Sequence, residues 1–266
     1  MAKPKTLKPV RPNEGIEAAY RQRLERLIED MNASVLWWIS AAYRATPPEM
    51  AQDASPAKTL QGVLNRLRKQ WQGKFDDEAP NLANWFSRSS QSQVDRSFSR
   101  SLKTAGFSVS FNMTREVNDI VQATTGENVS LIKSISSEYF TDIEGMVMRS
   151  VAAGRDIGAL REQIQDTYGV TNRRAALIAR DQNNKATANV NKARALQVGI
   201  VHAIWQHSRG GRHPRKSHVE ATGRKFEIAK GCKIDGQYIQ PGELISCRCV
   251  SRVVLPALDD GSPVED

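Results

Sequence analysis

Cysteine and histidine are scarce in this chain of 266 residues, with three of the first and four of the second. An odd number of thiols cannot all pair, and the opening MAKPKTLKPVRP has no apolar h-region of a secretory signal. We therefore expect a protein folded where thiols stay reduced, its cysteines free or metal-bound. No run approaches the roughly 20 apolar residues of a membrane span, so no membrane partner is expected. Aromatic residues make up 6% and hydrophobic residues 39% of the chain, a lean supply that favours many exposed helices over one large core. G-x-S-x-G and G-x-x-x-x-G-K are both absent, so neither a hydrolase nucleophile elbow nor an ATP phosphate cradle is indicated.

What the chain does have is positive charge. Lys and Arg number 38 against 29 Asp and Glu, a formal charge of +9, which draws polyanions toward the surface. Nucleic acid or an acidic protein face is the partner this implies. Charge of this kind bears on association and solubility, not on fold.

Most of the chain is patterned for helices. Leu24, Ile28, Met31, Val35, Trp38 and Ala42 recur at spacings of three and four, with Trp37 and Ile39 widening the stripe, and Thr46-Pro47-Pro48 ends it. Ser55-Pro56 reads as an N-cap with proline at N1, opening a second helix through Leu60, Leu64, Leu67 and Trp71; a third is expected over 81–104. Phe107 to Phe111 alternates apolar and polar, the period of a short strand. Short helices punctuated by Gly126, Gly154 and Gly169 follow, then a helix from Thr171 to about Gln197. That helix has an alanine stripe at Ala175, Ala179, Ala186 and Ala193, and a basic face with Arg173, Arg174, Arg180, Lys185, Lys192 and Arg194.

The chemistry-bearing residues cluster between Trp205 and Pro256. His207, His213 and His218 lie there with Cys232, Cys247 and Cys249. His213 and His218 enclose four residues, a spacing that histidine pairs show in structural zinc sites, and Cys247 and Cys249 supply two thiolates for a Cys2His2 set. C-x-C is shorter than the usual C-x(2–4)-C, and a metal-free core lined by small thiols is the alternative; both readings stay open. Around these residues the pattern is β: 225–228, 232–239 with Asp235-Gly236 as a type I′ hairpin turn, a second turn at Pro241-Gly242, and 245–254. At the edge lies a basic, glycine-containing loop whose Arg209, Arg212, Arg215 and Lys216 are the candidates for phosphate or acidic-partner contact.

The expected architecture is α+β: a mainly α-helical body, 14–198, leading into a small β-hairpin-containing module, 199–256. A disordered basic arm, 1–13, and an acidic disordered tail, 257–266, would flank them.

The C-terminal stretch resembles the phage head-morphogenesis, Mu F-like family of minor head proteins. The likeness rests on Trp205, a basic loop ending in Pro214-Arg215 and His218, then Gly223 and Phe226, Pro241-Gly242, and a closing Cys247-Arg248-Cys249 followed by Pro256. Upstream, 174–182 is similar to the family's IAR-Thr-Glu helix, with Asp181-Gln182 in place of Thr-Glu. The specific likeness spans roughly 172–256. It implies a non-enzymatic minor capsid protein of the phage head, at or near the portal vertex, assembled in the host cytoplasm. Implied partners are portal protein, major capsid or scaffolding protein and double-stranded DNA, with several copies or a homo-oligomer around the portal. Two rivals fit the composition: a DNA-binding module outside the virion, and a metal-dependent nuclease, which would need a general base and an open metal position.

Overall fold

The computed structural model describes residues 6–45, 56–154, 156–210, 213–256 and 263–264. Four long helices come first: α1 (Glu14–Ala45), α2 (Pro56–Thr104), α3 (Arg115–Ala152) and α4 (Ile157–Gln197). Strand β1 (His202–Gln206), a short helix α5 (Lys216–Glu220), and strands β2 (Lys225–Glu227), β3 (Cys232–Ile234), β4 (Gln237–Ile239) and β5 (Val250–Val253) follow. The fold is thus α+β, a helical body with a small antiparallel β module.

The helices are longer than their punctuation suggests. In α2 buried apolar residues run unbroken from Leu60 through Leu64, Leu67, Trp71, Phe75, Ala79, Leu82 and Phe86 to Val94, Phe98 and Leu102. Pro80 sits inside this single helix. It lies on the exposed side, as does Asp76, whose carbonyl has no amide at position 80 to accept from. Gly126 within α3 and Gly169 within α4 likewise fail to divide their helices. A helical glycine costs about 1 kcal/mol relative to alanine, less than a continuous buried stripe returns. Real ends carry caps. Asn13 Oδ1 accepts from the Ile16 amide (3.0 Å), Thr114 Oγ1 from Val117 (3.3 Å) and Asp156 Oδ1 from Ala159 (3.0 Å). At the far end of α4, Gly199 takes φ 75°, while its amide bonds Leu196 O (3.0 Å) and that of Ile200 bonds Ala195 O (2.9 Å). This is the paired C-terminal bonding of a Schellman motif.

Two compact units share these helices. The first combines residues 1–17, 85–125 and 180–266, and the second 18–84 and 126–179. The expected boundary near 198 therefore marks a change of secondary structure; α2, α3 and α4 each have buried residues in both units. In the second unit, α1 and α3 exchange two buried hydrogen bonds: Tyr20 donates to Asn128 (2.8 Å) and Tyr139 to Asn32 (2.7 Å). Burial pushes both phenol pKa values up. The α1 stripe runs through Val35 to Ile39 and Tyr43, leaving Trp37 and Trp38 60% and 43% exposed, not inward as their spacing implied.

The first unit holds the β module. Its sheet has the order β2-β1-β5, all antiparallel, with Ala203 opposite Phe226 and Val253 and with Trp205 opposite Ser251. Alternation along β1 turns Ala203 and Trp205 into the core. There they join Phe226, Cys232, Cys247 and Cys249, Val94 and Phe98 of α2, and Val190 and Ala195 of α4. β3 and β4 form the expected hairpin, Asp235 and Gly236 at φ 52° and 78°.

Two expectations fail here for physical reasons. Residues 107–111 form no strand; they lead from α2 to α3 as irregular chain, where Phe111 stacks on Phe98 at 5.7 Å. The arm is not disordered over 6–13. Thr6 bridges Val254, the Leu7 amide bonds Val253 O (3.0 Å), and Leu7 and Val10 enter the core. The arm covers the outer edge of β5, and its two apolar side chains supply what its prolines and lysines do not. Residues 1–5, Thr46-Pro47-Pro48, Ser55 and the acidic tail, apart from 263–264, lie outside the described residues.

Candidate functional site

The site is built on the buried indole of Trp205. Its Nε1–H donates to the carbonyl of His218 (3.0 Å), and the imidazole stands edge-on to the indole, centroids 5.2 Å apart. His218 lies on α5, the one buried residue of that helix. Across from it, residues 247–249 alternate buried, exposed, buried, so Cys247 and Cys249 face inward and Arg248 faces out. Cys247 Sγ is 3.5 Å and Cys249 Sγ 3.7 Å from His218 Nδ1.

The two thiols are coupled. Cys247 is pulled down to about 5, first by a hydrogen bond with Cys249, with help from the amides of Cys249 and Gly242 and the charge of His218, against burial. Cys249 is pushed up, first by that same hydrogen bond and then by burial. The charged form is thus favoured at Cys247 and disfavoured at Cys249.

Second-layer contacts hold this arrangement. Ser246, just before Cys247, has φ 59°, and its amide donates to Asp181 Oδ1 (2.7 Å), whose other oxygen pairs with Lys185 (2.9 Å). Asp181 of α4 therefore clamps the strained turn that presents the cysteines. Gly242, at φ 90°, packs so closely on α4 that a Cβ there would meet Ala188 Cβ at 3.2 Å and Asn184 O at 3.3 Å.

Of the expected ligands, the fold brings His218, Cys247 and Cys249 within 4.8 Å of one another, the one such group found among the described residues. His213 is exposed and outside that group; it lines the same cavity of about 640 Å³, as do His207, Arg180 and Arg248. Cys232 is buried on β3, in the sheet's own core. Arg209, Arg215 and Lys216 are exposed, and Arg215 donates to Ile245 O (3.0 Å). Arg212 lies outside the described residues.

Sequence reasoning missed Asp181, whose partner Ser246 is 65 residues away. It also placed Arg194 on a basic solvated face. Arg194 is instead fully buried, its Nε and Nη2 on the two oxygens of Asp95 (2.7 and 2.8 Å), its Nη1 on Asn112 O and Gln197 Oε1 (both 2.7 Å).

A helical protein that ends in a compact β module, with histidine and two cysteines meeting behind a basic loop, is the class this geometry defines. Residues 141–252 match the family model described as Phage Mu protein F like protein. The match begins upstream of the 172–256 likeness, taking in all of α4 and the end of α3. A Haemophilus influenzae protein described as "Uncharacterized protein" is 31% identical over 268 residues, covering 99% of this chain and 58% of that protein. The chain thus spans little more than half the length of this relative. No solved structure matches it. No helix among the described residues is long and apolar enough to cross a membrane.

Proposed function

We propose that this protein is a minor head protein of a tailed phage, acting in head morphogenesis at or near the portal vertex without catalysing a reaction. In this reading it is assembled in the host cytoplasm, sits in the head in several copies, and contacts portal protein and packaged DNA. The observation that carries it is the family match over 141–252, which takes in the module just described as far as residue 252. Exposed Arg215 and Arg248 line one cavity, and exposed Arg209 and Lys216 neighbour its lining residues in sequence, a cationic set suited to phosphate or to an acidic protein face.

Three of the acids near the site are engaged, whereas Glu220 is exposed. Asp235 accepts from Ser217 of α5 (2.7 Å), Glu227 pairs with Lys230 (3.1 Å) and Glu243 accepts from the Gln240 amide (2.6 Å). A metal nuclease needs a carboxylate free to take a proton from water.

The test is recovery of the polypeptide from purified heads and with isolated portal rings. Triple replacement of Arg209, Arg215 and Lys216 by Glu should leave the fold intact and weaken duplex binding. It should also flatten the salt dependence by up to about three in log–log slope, near one for each lost phosphate contact. Heads lacking the polypeptide would leave the DNA-binding reading outside the virion; metal-dependent cutting of DNA would establish the nuclease.

A further inference from the structure

The three-way meeting of His218, Cys247 and Cys249 is more than hydrogen bonding explains. A ring nitrogen offers one lone pair or one N–H, so Nδ1 can serve one sulfur well, yet two stand at 3.5 and 3.7 Å. Tetrahedral zinc with Zn–S near 2.3 Å and Zn–N near 2.05 Å places nitrogen and sulfur about 3.6 Å apart. The two observed distances bracket that value. All three groups are buried and within 4.8 Å of one another.

Contacts outside the trio fix its geometry. His218 is held by the Trp205 bond to its own carbonyl, and the Cys247 turn by Asp181. C-x-C looked too short for chelation; here residue 248 points outward, so both sulfurs reach one point without a longer spacer.

We propose that His218 Nδ1 and the sulfurs of Cys247 and Cys249 bind one thiophilic divalent cation, zinc in the cell, whose fourth coordination place faces the cavity bordered by the basic loop. Two thiolates neutralise the ion, so the site adds no net charge among Arg180, Arg215 and Arg248. The ion ties α5 to the 247–249 segment and sets the edge from which the loop departs. This site stands independently of the proposed role in the head.

Elemental analysis of full-length protein prepared without chelator should find one zinc per chain. Cobalt(II) exchanged into the site should show the thiolate-to-cobalt charge-transfer band and the intense visible bands of a tetrahedral ion. Cys247→Ser and Cys249→Ser should lose the stoichiometric metal, while Cys232→Ser, which removes the third buried thiol, should keep it. Should the site variants fail to fold, the wild-type zinc content and cobalt spectrum decide alone. Folded, reduced protein that takes up no stoichiometric zinc and gives no thiolate–cobalt band would overturn the proposal. Retention of metal by Cys247→Ser, or its loss in Cys232→Ser, would do the same.

Discussion

Replacing Asp95 by alanine should destabilise the first compact unit more than almost any other single change. Arg194 is 1% exposed at its side chain, and Asp95, 19% exposed, satisfies its Nε and Nη2 in a bidentate pair. Without the carboxylate, a guanidinium stays buried with its charge uncompensated and two N–H directions unserved. Breaking a buried pair by removing one partner costs about 3–5 kcal/mol. Arg194→Met should be milder, about 1–3 kcal/mol, because the abandoned Asp95 can reach water; it still forfeits the bonds to Asn112 and Gln197. The double variant should then be more stable than Asp95→Ala alone, since no charge remains stranded. Urea unfolding followed by tryptophan fluorescence reports this directly, Trp205 lying in the same unit. Asp95→Ala within about 1 kcal/mol of wild type would refute the reasoning, as would a double variant that loses the full sum of the two single effects.

Asp181→Ala should free the Ser246 amide and loosen the 246–249 turn, lowering stability by about 1–3 kcal/mol and speeding reaction of the Cys247 thiol with a disulfide reagent. Equal thiol reactivity in variant and wild type would assign Asp181 no hold on the turn. Glu144 has its carboxyl pKa lowered, first by the hydrogen bond from Gln61 and then by Arg68. Since the folded value lies below the unfolded one, its stabilisation is whole above the ordinary carboxylate pKa of about 4.3 and fades as pH falls through the lower folded value. The stability gap between wild type and Glu144→Gln should therefore narrow on acidification in urea titrations; a gap that stays constant would show that the pair contributes nothing through ionisation.

How much of this was legible beforehand follows from the range of each interaction. The stop of α4 at Gly199, the Asp235-Gly236 turn and the inward face of β1 are decided within a few residues, by left-handed glycine and by two-residue alternation. They could be read directly. Pro80, Gly126 and Gly169 could not be read as mid-helix residues, because whether a weak local breaker wins depends on the apolar stripe that packs elsewhere. Residues 107–111 had a strand's alternation but no strand to pair with, whereas the proline-bearing arm found the open edge of β5 through Thr6 and Leu7.

The site divides along the same line. By itself the sequence determined which residues are chemically capable: one short stretch with histidines, thiols and arginines, and the family resemblance that stretch carries. Tertiary structure alone decided that His218, and not His213, joins Cys247 and Cys249, that Asp181 clamps their turn, and that Arg194 is buried instead of facing solvent. Those contacts link side chains 29 to 99 positions apart. Periodicity places a residue on a face; which faces then meet is settled only when the whole core packs, since burial of one stripe determines what every other stripe can touch.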